Sequence, residues 1–67
     1  MAYTTRWIPS DKINEVINLW HTSRVALAGT KHGRYERLQW VTGEFVKKYP
    51  EYSRGAAYKD IDGLTRP

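Results

Sequence analysis

No cysteine occurs anywhere in these 67 residues, and that omission constrains the fold more than any motif does. A chain this short buries only about 60 per cent of the surface its unfolded form exposes, so it needs help to hold together. Disulfides and thiolate metal sites are ruled out as that help. What remains is close helix packing, a heavy aromatic contribution, or a second copy of the chain. Three Trp, five Tyr and one Phe fit the second and third routes. The length allows a single small domain, 1–67, and no second core. With 40% hydrophobic and 27% charged residues, the composition is too apolar for an obligately disordered tail.

Residues 1–9 (MAYTTRWIP) are rich in β-branched and aromatic side chains, and Pro9 drives Ile8 out of the helical region. They predict an extended arm. No other segment reads as a strand, so the arm either lies over the helices or forms half of an intermolecular ribbon. Ser10 offers an N-cap oxygen, and Asp11 and Glu15 suit the start of a helix. Ile13, Val16, Ile17, Trp20 and Leu27 recur at helical spacing, predicting a helix over 11–28 with Gly29 as its left-handed terminator. Arg24 points into that apolar stripe. Either its guanidinium snorkels out or the helix ends near Thr22.

Gly29 to Gly33 reads as a turn. Tyr35, Leu38, Val41, Thr42, Phe45 and Tyr49 then predict a second helix over 34–48, stopped by Pro50. Ser53 is placed to cap a third helix over 54–62, docked through Ala57, Ile61 and Leu64 and ended by Gly63, with 64–67 fraying. The fold class is mainly α: an antiparallel helical hairpin closed by a short third helix.

The formal net charge is +4, with a pI near 9.6. Between Arg24 and Lys48 stand six basic residues and two acidic ones, while the rest of the chain carries five of each sign. All the net charge therefore falls on the turn and the second helix. Lys31, His32, Arg34, Arg37, Lys47 and Lys48 form the candidate phosphate-binding surface. Glu44 to Lys48 is the spacing of a routine intrahelical pair. Trp40 points away from the Leu38/Phe45 face, among charged residues. It reads as a stacking platform for a base, as an anchor for a protein, or as a residue covered by the third helix or the arm.

Catalysis is not expected. His21 and His32 are the only histidines, eleven residues apart with no acidic cluster at ligand spacing, and Ser10, Ser23 and Ser53 have no histidine placed to suggest a nucleophilic pair. No cofactor is implied, and Gly29 and Gly33 do not make a phosphate-loop pattern. No apolar run approaches the roughly 20 residues of a membrane span, and the first ten residues lack a signal-peptide core, so the expected setting is the cytoplasm. The expected partner is a nucleic acid, DNA first. The alternatives are an acidic protein and a second copy of the chain.

The arm Tyr3-Thr4-Thr5-Arg6-Trp7, the Pro9-Ser10 helix start and two following amphipathic helices resemble the ribbon-helix-helix DNA-binding family over about residues 2–49. The resemblance implies a dimer whose paired arms read bases in the major groove. Thr4 and Arg6 would be the readers, and the residues near Arg34 would hold a phosphate at the start of the second helix. Ile8 before the proline, the polar Thr5 at an inward position, the longer first helix and turn, and a third helix after Pro50 depart from that pattern.

Overall fold

Helices form where the apolar spacing places them, with Gly29 and Pro50 in the two connections between them. The computed structural model describes residues 8–66, with α1 at Ser10–Ala26, α2 at Arg34–Lys48 and α3 at Arg54–Leu64. The helical hairpin with a short third helix is the observed architecture. α2 is the central element. It packs against α1 on one flank and α3 on the other, while α1 and α3 touch each other much less.

The core follows from that arrangement. Leu38, Val41, Thr42 and Phe45 from α2 meet Val16 from α1, Ala57 and Ile61 from α3, and Ile8 and Tyr52 from the connections. Ile13, Leu19, Trp20, Trp40, Tyr49, Tyr58 and Leu64 pack around them half-buried. Phe45 is fully buried, with the Tyr49 ring tilted at 5.0 Å and the Tyr52 ring edge-on at 5.4 Å. Aromatic pairs in these geometries contribute about 0.5–1.5 kcal/mol each beyond the area they bury. Pro50 and Glu51 make the turn that folds Tyr52 back over Phe45, and the Tyr52 N–H donates to the Tyr49 carbonyl at 3.2 Å.

The helix ends depart from expectation in detail. Ser10 is the first helical residue rather than the cap; Pro9 holds the cap position, and its carbonyl accepts the Lys12 N–H at 2.9 Å. α1 runs through Arg24, which is exposed, and stops at Ala26, two residues before the expected end. The Thr30 N–H donates to the Leu27 carbonyl at 3.0 Å across a turn whose third residue, Gly29, has φ +82°. That value is strained for any residue with a Cβ, so the glycine serves the turn, a little past the helix it was expected to end. Ser53 does cap α3, its Oγ accepting the Ala56 N–H at 3.3 Å. Gly63 lies inside α3 rather than ending it. Leu64 is helical and half-buried rather than frayed, and the Thr65 hydroxyl donates to the Ile61 carbonyl at 2.9 Å. Tyr35, expected on the core face, is 61% exposed because it sits at the outer rim of α2, 6.3 Å from the Tyr58 ring.

The expected arm, with Arg6, lies outside the described residues except for its last two. Of these, Ile8 is buried, and its N–H donates to the carboxylate of Asp60, itself buried on α3. Among the described residues there is no strand element, and nothing supports the ribbon-helix-helix alternative.

One core feature works against stability. Thr42 is fully buried and its hydroxyl has no hydrogen-bond partner among the described residues. Removing such a group while keeping the shape relieves its desolvation cost. Thr42→Val is expected to raise stability by about 1 kcal/mol, read as a higher urea midpoint at unchanged slope; a lower midpoint would mean that the hydroxyl is satisfied.

Candidate nucleic-acid interface

The predicted basic surface divides in two. Arg34 and Lys47 are thirteen residues apart on one helix, about 20 Å at the α-helical rise. Lys31, His32, Arg34 and Arg37 gather at the closed end of the hairpin, and Lys47 and Lys48 stand at the other end.

At the closed end the turn carries Lys31, which is exposed, and His32, whose Nδ1 donates to the Thr30 carbonyl at 2.7 Å. The first amide of α2 faces the same way. The Gly33 N–H donates to Glu36 Oε1 at 2.6 Å, half of a capping box in which glycine has no side chain to reciprocate. Thus a carboxylate already occupies the place where the ribbon-helix-helix resemblance put a phosphate.

Arg37, one turn further on, is built into the helix interface. Its Nε donates to Ser23 Oγ at 2.9 Å and its Nη2 to the Trp20 carbonyl at 2.7 Å. The Ser23 hydroxyl in turn donates to that carbonyl at 2.6 Å, and Ser23 is fully buried. The guanidinium lies over the Trp20 ring, 3.8 Å from its centroid, which makes a cation–π contact. Arg34 approaches the same ring to 5.2 Å. Its other contacts go to the end of α3: the Asp62 carboxylate at 2.7 Å, the Asp62 carbonyl at 2.8 Å and the Thr65 hydroxyl at 3.0 Å. Arg66 binds the second Asp62 oxygen at 2.9 Å.

The electrostatics of this end are one-sided. Arg34 and Arg66 share the Asp62 carboxylate, Arg24 and Arg34 face Arg37, and the other carboxylate at this end, Glu36, is held by the Gly33 amide. Burial lowers the pKa of Arg37, and repulsion from Arg24 and Arg34 lowers it further, although an arginine remains charged at neutral pH. Hydrogen bonds from Arg34, then Arg66, hold the Asp62 carboxyl below its ordinary range. The cluster is cationic and Arg37 has no carboxylate partner among the described residues.

The far end is close to neutral. Lys48 pairs with Glu15 on α1, not with Glu44 along its own helix as its spacing suggested. Glu15 also accepts the Tyr49 hydroxyl. These bonds, Lys48 first, lower the Glu15 pKa, and Glu15 raises those of Lys48 and Tyr49. Lys12 lies over the Tyr49 ring at 5.1 Å. An open cleft of about 410 Å³ runs between α1 and α2 here, lined by Glu15, Leu19, Glu44, Phe45, Lys47 and Lys48. Its balanced charge offers no preference for an anion.

Trp40, expected on a charged face, is half-buried and packs against the core cluster. Its indole serves packing, because a helix this central has little surface that a neighbour does not cover. The structure brings Lys31, His32, Arg34 and Arg37 together at one end and leaves Lys47 and Lys48 at the other; for this site the sequence reading counted Arg24 only in the basic total and did not single out Trp20, Ser23, Asp62 or Arg66. Trp20 and Ser23 share a face at i, i+3, and a small polar residue beside a tryptophan was the legible signal for a close helix contact. Nothing local paired Asp62 with Arg34, 28 residues away.

No three of His, Cys, Asp and Glu gather as a metal site, and no helix is long and apolar enough to cross a membrane, among the described residues. No protein-family model, curated protein or solved structure matches the chain.

The two depressed carboxylates fix an acid dependence. Each is bound more tightly as the anion in the folded state, so its contribution is complete above the ordinary carboxylate range and fades as pH falls through the lowered folded value. The melting temperature is expected to be flat from pH 7 to 5 and to fall below about pH 4. In Glu15→Gln the acid fall should be smaller. An identical fall in that variant would show that the Glu15 clasp does not couple to folding.

Proposed function

We propose that this chain is a small, non-enzymatic nucleic-acid-binding module that grips a phosphate backbone with the closed end of its helical hairpin. The observation that carries this reading is the set of guanidiniums from Arg24, Arg34 and Arg37 at the Trp20 end of the α1–α2 interface, with Lys31 in the adjoining turn and two carboxylates nearby, Asp62 on Arg34 and Glu36 on the Gly33 amide. A concentrated positive field at a water-exposed end attracts phosphates. Arg24 and Lys31 are exposed, and neither has an ion-pair partner among the described residues, so they are the mobile contacts. Arg37 and Arg34 are the positioned ones. His32 adds charge when protonated. Lys48, taken by Glu15, and Trp40, taken by the core, leave the set; Lys47 stands apart from it. The reading extends to a DNA-binding regulator of transcription working in the cytoplasm.

A second reading has its own observation. Val25 and Tyr35 are 77% and 61% exposed, the large apolar side chains that packing leaves outside among the described residues. They would anchor an acidic protein partner that the same arginines steer into place. Of the anchors that the sequence offers, Trp40, Tyr35 and the aromatic arm, this reading uses Tyr35.

The test is duplex and single-stranded DNA titrated against tryptophan fluorescence at about 50 and 200 mM salt. Of the three tryptophans, Trp20, under Arg37, is the one expected to respond. Arg24→Ala with Lys31→Ala is expected to flatten the log affinity against log salt slope by about 1.8, at 0.9 per lost phosphate contact. Lys47→Ala should leave it unchanged. Equal slopes in the double variant and the parent would remove the site, and no quench at either salt would favour the protein partner.

A further inference from the structure

The carboxylate of Asp62 occupies a guanidinium donor of Arg34 that an incoming anion would need. Arg34 Nη2 is 2.7 Å from Asp62 Oδ1, and Arg66 holds Oδ2 at 2.9 Å. None of these groups is deeply buried: the side chains of Arg34, Asp62 and Arg66 keep 37%, 25% and 66% of their exposure. Ion pairs this open are weak and exchange readily with other anions. Arg37 differs, since Ser23 and the Trp20 carbonyl hold it, with no carboxylate among the described residues. The two guanidinium carbons stand 5.2 and 3.8 Å from one ring centroid, and are therefore within about 9 Å of each other. Charge-assisted hydrogen bonds of about 2.8 Å on either side allow one phosphate to bridge such a pair.

We propose that this end of the hairpin is a phosphate subsite closed by its own side chain: an arriving phosphate takes Arg34 from Asp62 and is anchored by the fixed Arg37, so Asp62 is a built-in brake on anion binding. The proposal rests on the nucleic-acid reading and deepens it by naming the contact for which the protein competes with its ligand. A guanidinium presents a planar fork of donors that suits phosphate oxygens as well as a carboxylate. The exchange also leaves much of the fold's grip in place, because Arg34 retains the Asp62 carbonyl and the Thr65 hydroxyl as acceptors at the C-terminal end of α3. Arg66 keeps Asp62 once Arg34 has left it.

Two probes separate the sources of the phosphate. Inorganic phosphate is titrated against potassium chloride at equal ionic strength, with melting temperature as the readout; a short DNA duplex is titrated by tryptophan fluorescence. Asp62→Asn is expected to gain more melting temperature from phosphate than the parent does, and to steepen the duplex salt slope by about 0.9. In the parent protein, the side-chain Nε–H resonances of Arg34 and Arg37 should move with phosphate. That of Arg54, which Gln39 holds at 2.7 Å on another face, should not. This measurement decides the matter even if Asp62→Asn does not fold.

A phosphate response no larger in Asp62→Asn than in the parent, a stationary Arg34 signal, or equal movement of Arg54 would overturn the subsite. A larger phosphate response without duplex binding supports the subsite and removes the nucleic-acid reading. Duplex binding that is the same in both proteins keeps that reading and overturns the brake.

Discussion

Burial of one face of α2 is the constraint on which everything else depends. Leu38, Val41, Thr42 and Phe45 are the largest buried set that any one helix supplies among the described residues. α1 supplies Val16 and Ser23 to the buried set, and α3 supplies Ala57, Asp60 and Ile61. Neither outer helix buries much against the other. An α1 or α3 detached from α2 would be a short helix without a partner, and such helices are marginal in water. The aromatic cluster of Phe45, Tyr49 and Tyr52 compensates for the limited area, placing large rings where a chain of this length has few residues to spend.

That economy shapes the flanks of α2. Polar clasps fix the outer helices at both ends: Lys48 to Glu15 at one end, and Arg37 to Ser23 and Trp20 with Arg34 to Asp62 at the other. Side chains that sequence alone presents as a surface stripe are therefore shared between folding and surface charge. The first use removes Lys48 from the field presented to a ligand. The second leaves Arg37 positive, because its acceptors are a hydroxyl and a carbonyl, which carry no charge.

The elements were legible because period and punctuation agreed. Pro9, Gly29 and Pro50 broke the chain near the observed ends, and the Leu38, Val41, Phe45 spacing named the buried face of α2. Misreadings gather where a long-range contact outweighed a local rule. Ser10 looked like a cap, but the chain enters the helix through Pro9 with Ile8 tied to Asp60. Glu44 was the nearer partner for Lys48, but Glu15 on the facing helix took it. The candidate site was legible as charge and not as geometry. No spacing rule connects Trp20 with Arg37, or Arg34 with Asp62, because those contacts exist only after the hairpin closes and α3 docks.

The clasp on Arg37 also has an entropic consequence. A free arginine side chain carries about 2 kcal/mol of rotamer freedom, which a binding event normally has to remove. Here folding has already removed it, since Ser23, the Trp20 carbonyl and the indole ring together hold the guanidinium in one orientation. A ligand that meets Arg37 meets a pre-organised group, so less of its interaction energy is lost to ordering the protein. The same rigidity makes the hairpin selective by distance. A flexible lysine can follow a misplaced phosphate, but a guanidinium locked against a tryptophan rewards only ligands whose charges fall at its own spacing.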